Sequence, residues 1–189
     1  MATAERIRYA GLACMIGGGL EVVFGLVYVF EGFTLFPVTE VVWSFALLGL
    51  MGGLLGMLWL RATGSGRGGR LILVVPLIGM LLHLAAMVYF IALGTRVDEL
   101  LTPIGAQLMA FGMILVGVAA LRAKVWRGWR VLVPFVVGLY FYLVPFVGLI
   151  LMGTGKPPYT FVGLWGMTWM LLGYAIASSA SEQRSNRAL

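Results

Sequence analysis

Residues 71–94 read LILVVPLIGMLLHLAAMVYFIALG. No Asp, Glu, Lys or Arg interrupts this run; its one ionisable group other than Tyr89 is His83. As a helix it rises about 36 Å at ~1.5 Å per residue, enough to cross a hydrocarbon layer ~30 Å thick. Five further stretches read the same way: 9–30, 41–60, 103–121, 131–152 and 159–179. Transmembrane β-strands are about ten residues long and alternate polar with apolar. Here the apolar runs are continuous and about twice that length. Backbone groups in lipid must be satisfied within the segment, which makes each run a helix. The sequence thus predicts an all-α polytopic membrane protein, a six-transmembrane-helix bundle. No polar linker is long enough to separate domains, so 1–189 is expected to be a single membrane domain.

Composition agrees. Hydrophobic residues make up 61% of the 189, and charged residues 11%, against ~25% charged in an average soluble domain. Glycine, at 27 residues, is about twice its usual ~7%. The single cysteine, Cys14, permits no intrachain disulfide. It follows Gly11-Leu12-Ala13 in loose likeness to a lipoprotein cleavage site. However, only two residues separate Arg8 from Gly11, too few for a signal core of ~7–15 apolar residues. The apolar run also continues to Phe30, so it is expected to stay on the protein as the first span.

The net charge of +6 is explained by topology. Of the 13 basic residues, 11 fall at the N-terminus, the 61–70 and 122–130 loops and the C-terminal tail; only Arg96 and Lys156 lie on the other side. Basic residues mark the cytoplasmic side. This predicts an inner (plasma) membrane protein with both termini cytoplasmic and its arginines near anionic lipid headgroups. No nucleic-acid partner is implied. Trp59, Trp126 and Trp129 fit an inner aromatic belt, and Tyr28, Trp43 and Tyr159 an outer one.

Leu60-Arg61-Ala62 recurs as Leu121-Arg122-Ala123, and Tyr28 as Tyr89 at the same offset. Gly17 and Glu21 precede Gly79 and His83 by 62 residues. The chain is compatible with three copies of a helical hairpin. Six ~20-residue spans joined by short loops give a similar period without common ancestry.

Glu21 is the one charged side chain deep inside a span. An acid at a helix centre costs roughly 2.5–3.5 kcal/mol on insertion, so it must find a donor or keep its proton. Gly17 and Gly25 lie one turn to either side and admit a neighbouring helix, which points Glu21 into the bundle. His83 lies at a similar depth in a span of the same direction, with Gly79 one turn before it. The two are expected to meet, directly or through one water. Other polar candidates for a binding site are Tyr140 and Tyr142 between Pro134 and Pro145, Gln107 and Ser44 near outer helix ends, and Thr168 in mid-span. Pro76, Pro134 and Pro145 each remove a helical hydrogen bond and predict kinks.

Other chemistries find little support. Gly64-Ser65-Gly66-Arg67-Gly68-Gly69 spells G-x-G-x-x-G, but a dinucleotide site needs a strand before it, and here it joins two spans. One histidine excludes a bis-histidine haem. Met80, Met87, Met109, Met113, Met167 and Met170 offer soft ligands for Cu(I), yet methionine commonly fills gaps in apolar interiors. Ser44 is in no nucleophile elbow, and Cys14 has no base in its own helix. Neither metal, cofactor nor enzymatic activity is expected. Gly49, Gly52, Gly53 and Gly56 form overlapping G-x-x-x-G pairs, a close-packing signal for internal contacts or for a second chain.

Two functions remain. The first is a proton- or cation-linked carrier or channel for a small solute, with Glu21 and His83 as its site. The second is a non-catalytic membrane subunit or scaffold that docks a homo-oligomer or partner subunits through glycine-rich helices.

Overall fold

The computed structural model describes the backbone of residues 2–31, 38–94, 98–152 and 159–188, and the side chains of 3–27, 38–94, 100–144, 161 and 163–181. These residues are helical with no strand among them. The helices are α1 (Ala2–Glu31), α2 (Val38–Leu60), α3 (Arg67–Ile72), α4 (Val74–Leu93), α5 (Asp98–Ala123), α6 (Val133–Met152) and α7 (Tyr159–Ala188). A 3-10 turn, Gly128–Leu132, precedes α6.

Four segments are long and apolar enough to cross a membrane: Thr3–Val27, Val38–Leu60, Arg67–Leu93 and Leu100–Ala123. Among the described residues, Gly128–Val144 is a shorter apolar helix. The expected count of six spans is therefore matched for four.

Proline chemistry corrects two of the expected boundaries. Pro76 cannot donate to the carbonyl of Ile72, and its ring crowds that carbonyl. The predicted 71–94 helix accordingly breaks, with α3 ending at Ile72 and α4 starting at Val74. Pro134 was expected inside a span. It instead occupies the first turn of α6, where a missing N–H costs nothing. Pro145 lies outside the described side chains.

Helix ends are closed by left-handed residues. After α2, Arg61 has φ 53° and Ala62 N–H returns to the Met57 carbonyl at 3.0 Å, a Schellman closure. After α5, Lys124 has φ 54° and donates to Ala120 at 3.2 Å. These equivalent caps lie 63 residues apart, whereas the sequence repeat put Arg61 opposite Arg122. The offset that aligns the letters is not the one that aligns the helix ends.

The long helices pack around a closed ring in the order α1, α2, α4, α5, α6, α7 and back to α1. Glycines sew several of the seams. A Cβ on Gly17 would lie 2.5 Å from the Ala46 carbonyl oxygen and 3.0 Å from Gly49 Cα. The α1–α7 seam pairs Gly11 with Gly173, Gly18 with Gly166 and Gly25 with Gly163. Gly79 and Gly105 make the corresponding crossing of α4 on α5. Leu50, Met57, Met80, Met109, Met113, Trp169 and Leu172 are completely or almost completely buried in the shared core. Four of these seven are methionines, used as filler.

The four glycines of α2 all face inward. Gly49 meets Ala13 and Gly17, Gly52 meets Ala10 and Ala13, Gly53 meets Cys14, and Gly56 meets Ile176 and Ala10. Their close-packing capacity is spent on α1 and α7 within the chain.

Candidate functional site

Ile7, Cys14 and Glu21 recur every seven residues on α1 and are 2%, 0% and 4% exposed. Such spacing keeps side chains on one face, with a drift of only ~20° per step. The middle member fixes where that face points. Cys14 Sγ donates to the Trp169 carbonyl of α7 at 3.3 Å, and a Cβ on Gly53 of α2 would lie 2.6 Å from the same sulfur. The line therefore looks between α2 and α7, into the ring. Glu21 Cβ lies against Gly166, and Oε2 is buried with no hydrogen-bond partner among the described residues.

The flanking glycines divide their work. Gly17 packs on α2, whereas Gly25 packs on Gly163 of α7, so they do not serve one common neighbour as the sequence had implied. Both nevertheless draw helices in around Glu21.

The antiparallel pairings of α1 with α2 and α7 also set depth. Continuing the contacts of Gly17 with Ala46 and Gly49, and of Gly18 with Gly166, brings Glu21 level with positions 42–45 on α2 and with 163–166 on α7. Trp43 stacks on the His83 ring of α4 at 5.9 Å and 28° between planes, so His83 belongs to the same layer. Trp43 also meets Phe24 of α1 edge-on at 4.7 Å. The equal depth read from the sequence is thus reproduced, but the direct hydrogen bond is not. Neither His83 Nδ1 nor Nε2 has a hydrogen-bond partner among the described residues. His83 packs against Gly105 of α5, and the Trp43–Phe24 pair links it to α1. An indole had not been anticipated in this role, because Trp43 near a helix end reads as a belt residue. Trp126, another expected belt residue, is buried, while Trp59 and Trp129 are exposed.

The remaining candidates separate from this layer. Thr168 donates to the Trp165 carbonyl of its own helix at 2.7 Å, and Ser44 to the Glu40 carbonyl at 2.8 Å. Tyr140 is half-buried and donates to the Phe161 carbonyl at 3.0 Å, tying α6 to α7. Tyr142 and Gln107 are exposed; they are joined through the Tyr142 hydroxyl and the Gln107 carbonyl at 3.5 Å. These two do not line the ring interior, and the hydroxyls of Thr168 and Tyr140 are committed to backbone. Trp165, which sequence reading overlooked, donates from Nε1 to the Val137 carbonyl at 2.7 Å and makes the second polar tie between α6 and α7.

Four buried polar atoms of the layer have no hydrogen-bond partner among the described residues: a carboxylate oxygen of Glu21, both nitrogens of His83 and Nε1 of Trp43. Buried polar atoms are nearly always satisfied in folded proteins. Thr102, Trp126 and Trp169 also bury a polar atom with no hydrogen-bond partner among the described residues; what marks this layer is that four such atoms from three neighbouring helices fall together, where a solute or water can complete the bonding. The described residues contain no group of three His, Cys, Asp or Glu side chains able to hold a metal.

Comparison with known proteins returns no match, whether to a family model, a curated protein or a solved structure.

Proposed function

We propose that this chain is a six-span inner-membrane carrier or channel for a small solute, and that Glu21 binds the solute or the proton or cation coupled to it. Both termini are placed in the cytoplasm, with 11 of the 13 basic residues set among anionic headgroups. The observation that carries the functional reading is the inward-facing Glu21, 4% exposed, with a carboxylate oxygen that has no hydrogen-bond partner among the described residues. An acid so costly to bury is a functional group by default inside a membrane.

His83 contributes from across the Trp43 ring, as a second polar group in the layer and not as the direct counter-charge of Glu21. Coupling then runs through Glu21 alone: proton and solute compete for one carboxylate.

The scaffold reading is the weaker one because the glycines on which it relied already pack against α1 and α7. The deciding experiment is uptake or counterflow in proteoliposomes across a panel of small solutes, with and without an imposed pH gradient. Glu21→Gln should remove the pH dependence while the protein still folds and inserts. A solute flux that keeps its full pH dependence in Glu21→Gln removes Glu21 from the mechanism, and the absence of flux for the whole panel returns the scaffold reading.

A further inference from the structure

The chemistry around Glu21 narrows the solute class. The inference rests on the reading of Glu21 as a solute-binding group. An inorganic cation stripped of water needs several oxygen ligands, as the 6–8 oxygens around Ca²⁺ illustrate. The buried carboxylate of this layer is Glu21, and Glu40 lies one turn before Trp43 on α2. Thr168 and Tyr140 stand apart from this layer, bonded to the Trp165 and Phe161 carbonyls, and no group of three His, Cys, Asp or Glu side chains able to hold a metal occurs among the described residues. Aromatic rings stand in place of oxygens. Phe24 lies one turn beyond Glu21 on α1, a spacing that puts Cβ atoms ~5–6 Å apart. Trp43 follows at 4.7 Å from Phe24, and His83 at 5.9 Å from Trp43. Aromatic faces attract weakly hydrated organic cations, most strongly when desolvated, and tryptophan does so best. The Glu21 carboxylate beside them supplies the counter-ion. The indole N–H of Trp43 and the imidazole of His83, both without hydrogen-bond partners among the described residues, remain for a polar substituent.

We propose that the layer formed by Glu21, Phe24, Trp43 and His83 binds a small organic cation, a quaternary ammonium or protonated amine. Glu21 neutralises the head, the Phe24–Trp43 wall packs against its alkyl groups, and the Trp43 and His83 nitrogens bond to any polar group it carries.

The test uses the purified full-length protein in lipid nanodiscs, with benzyltrimethylammonium as probe and its neutral carbon isostere, neopentylbenzene, as control. Equilibrium binding should be saturable, one probe per chain, and uncompeted by the isostere or by 100-fold excess sodium or potassium. Trp43→Phe should bind within ~5-fold of the parent and Trp43→Leu at least ~10-fold more weakly. Glu21→Gln should lose saturable binding. Trp43→Phe keeps an aromatic face, so it separates loss of the ring from loss of the fold. Equal binding of the isostere, or unchanged affinity in Trp43→Leu, overturns the organic-cation assignment. Glu21-dependent flux of protons or sodium with no binding of the probe overturns it too, yet leaves the carrier reading standing. If neither probe binding nor any flux depends on Glu21, both readings fall.

Discussion

Replacing Gly17 with alanine tests whether backbone contact between α1 and α2 holds the bundle together. The new Cβ would lie 2.5 Å from the Ala46 oxygen, 2.9 Å from Leu50 N and 3.0 Å from Gly49 Cα. All three obstacles are backbone, so no rotamer change relieves them. Ordinary contact is ~3.5 Å, so the helices must part by about 1 Å. A gap of that size forfeits up to about half of each ~0.1–0.2 kcal/mol contact. Over on the order of 20–30 atom pairs along the seam, the loss is ~1–3 kcal/mol, the usual range for overpacking. Two comparisons sharpen the test. At Gly56 the nearest obstacle is a side chain, Ile176 Cγ2 at 2.8 Å; this buried β-branched residue has one favoured helical rotamer, so relief needs a small shift of α7, and Gly56→Ala should cost ~1–2 kcal/mol, less than Gly17→Ala. At Gly68 nothing lies within 4 Å, and alanine in α3 should be neutral or gain ~0.5–1 kcal/mol. Reversible unfolding in mixed micelles of rising SDS fraction, followed by tryptophan fluorescence, ranks the three. The reasoning fails if Gly17→Ala matches the parent within ~0.5 kcal/mol, or if Gly56→Ala is the more damaging.

Three further outcomes are expected. His83→Phe keeps the stack on Trp43 and removes two nitrogens that lack hydrogen-bond partners among the described residues; it should be neutral or stabilising, whereas His83→Ala should cost ~2–4 kcal/mol. A loss above ~2 kcal/mol in His83→Phe, measured by the same unfolding assay, would mean that a ring nitrogen has a partner. Trp165→Phe removes the 2.7 Å donation to Val137, whose carbonyl lies within the α6 ladder, at a cost of ~0.5–1.5 kcal/mol; amide exchange should rise in α6 and α7 before it rises in α1, and uniform exchange would count against a local tie. For topology, a cysteine placed at Ser65 should resist an impermeant thiol reagent applied outside the cell while one near Asp98 reacts, and the opposite pattern inverts the orientation. Cys14, which is 0% exposed, should stay silent in both.

What could be read from the letters divides along physical lines. Long charge-free runs mark helices because composition alone decides them, and the four segments long and apolar enough to cross a membrane fall where hydropathy placed them. Boundaries shifted where one residue outweighs a run: Pro76 divided a predicted helix, and Pro134 began one instead of bending it. The depth of Glu21 and His83 was legible, since counting along antiparallel helices fixes it. Their lack of a hydrogen bond was not legible. It depends on helix adjacency, and α2 lies between α1 and α4 in the ring. For the same reason Gln107 and Tyr142 read as polar groups inside spans yet emerge on exposed faces: a single residue's helical phase is unknown until its neighbours are.

The seams of the ring are built from two materials. Where α1 meets α2 and α7, and where α4 meets α5, glycines bring backbone onto backbone. Such contacts have no rotamers to absorb a displacement, so they behave as rigid joints. At the α2–α4 seam the described ring contact is the Trp43–His83 stack, and at α6–α7 the side-chain ties are Tyr140, Phe141 and Trp165. Aromatic rings can slide and re-stack at a cost of about 0.5–1.5 kcal/mol per pair, less than parting glycine-sewn helices by ~1 Å. Any opening that admits a solute to Glu21 should therefore begin at α2–α4 or α6–α7, with α7, α1 and α2 moving as one body. Trp43 stands both at one of these seams and in the Glu21 layer. A solute packed against its ring would change the contacts that hold the seam shut, which gives binding a direct mechanical route to opening.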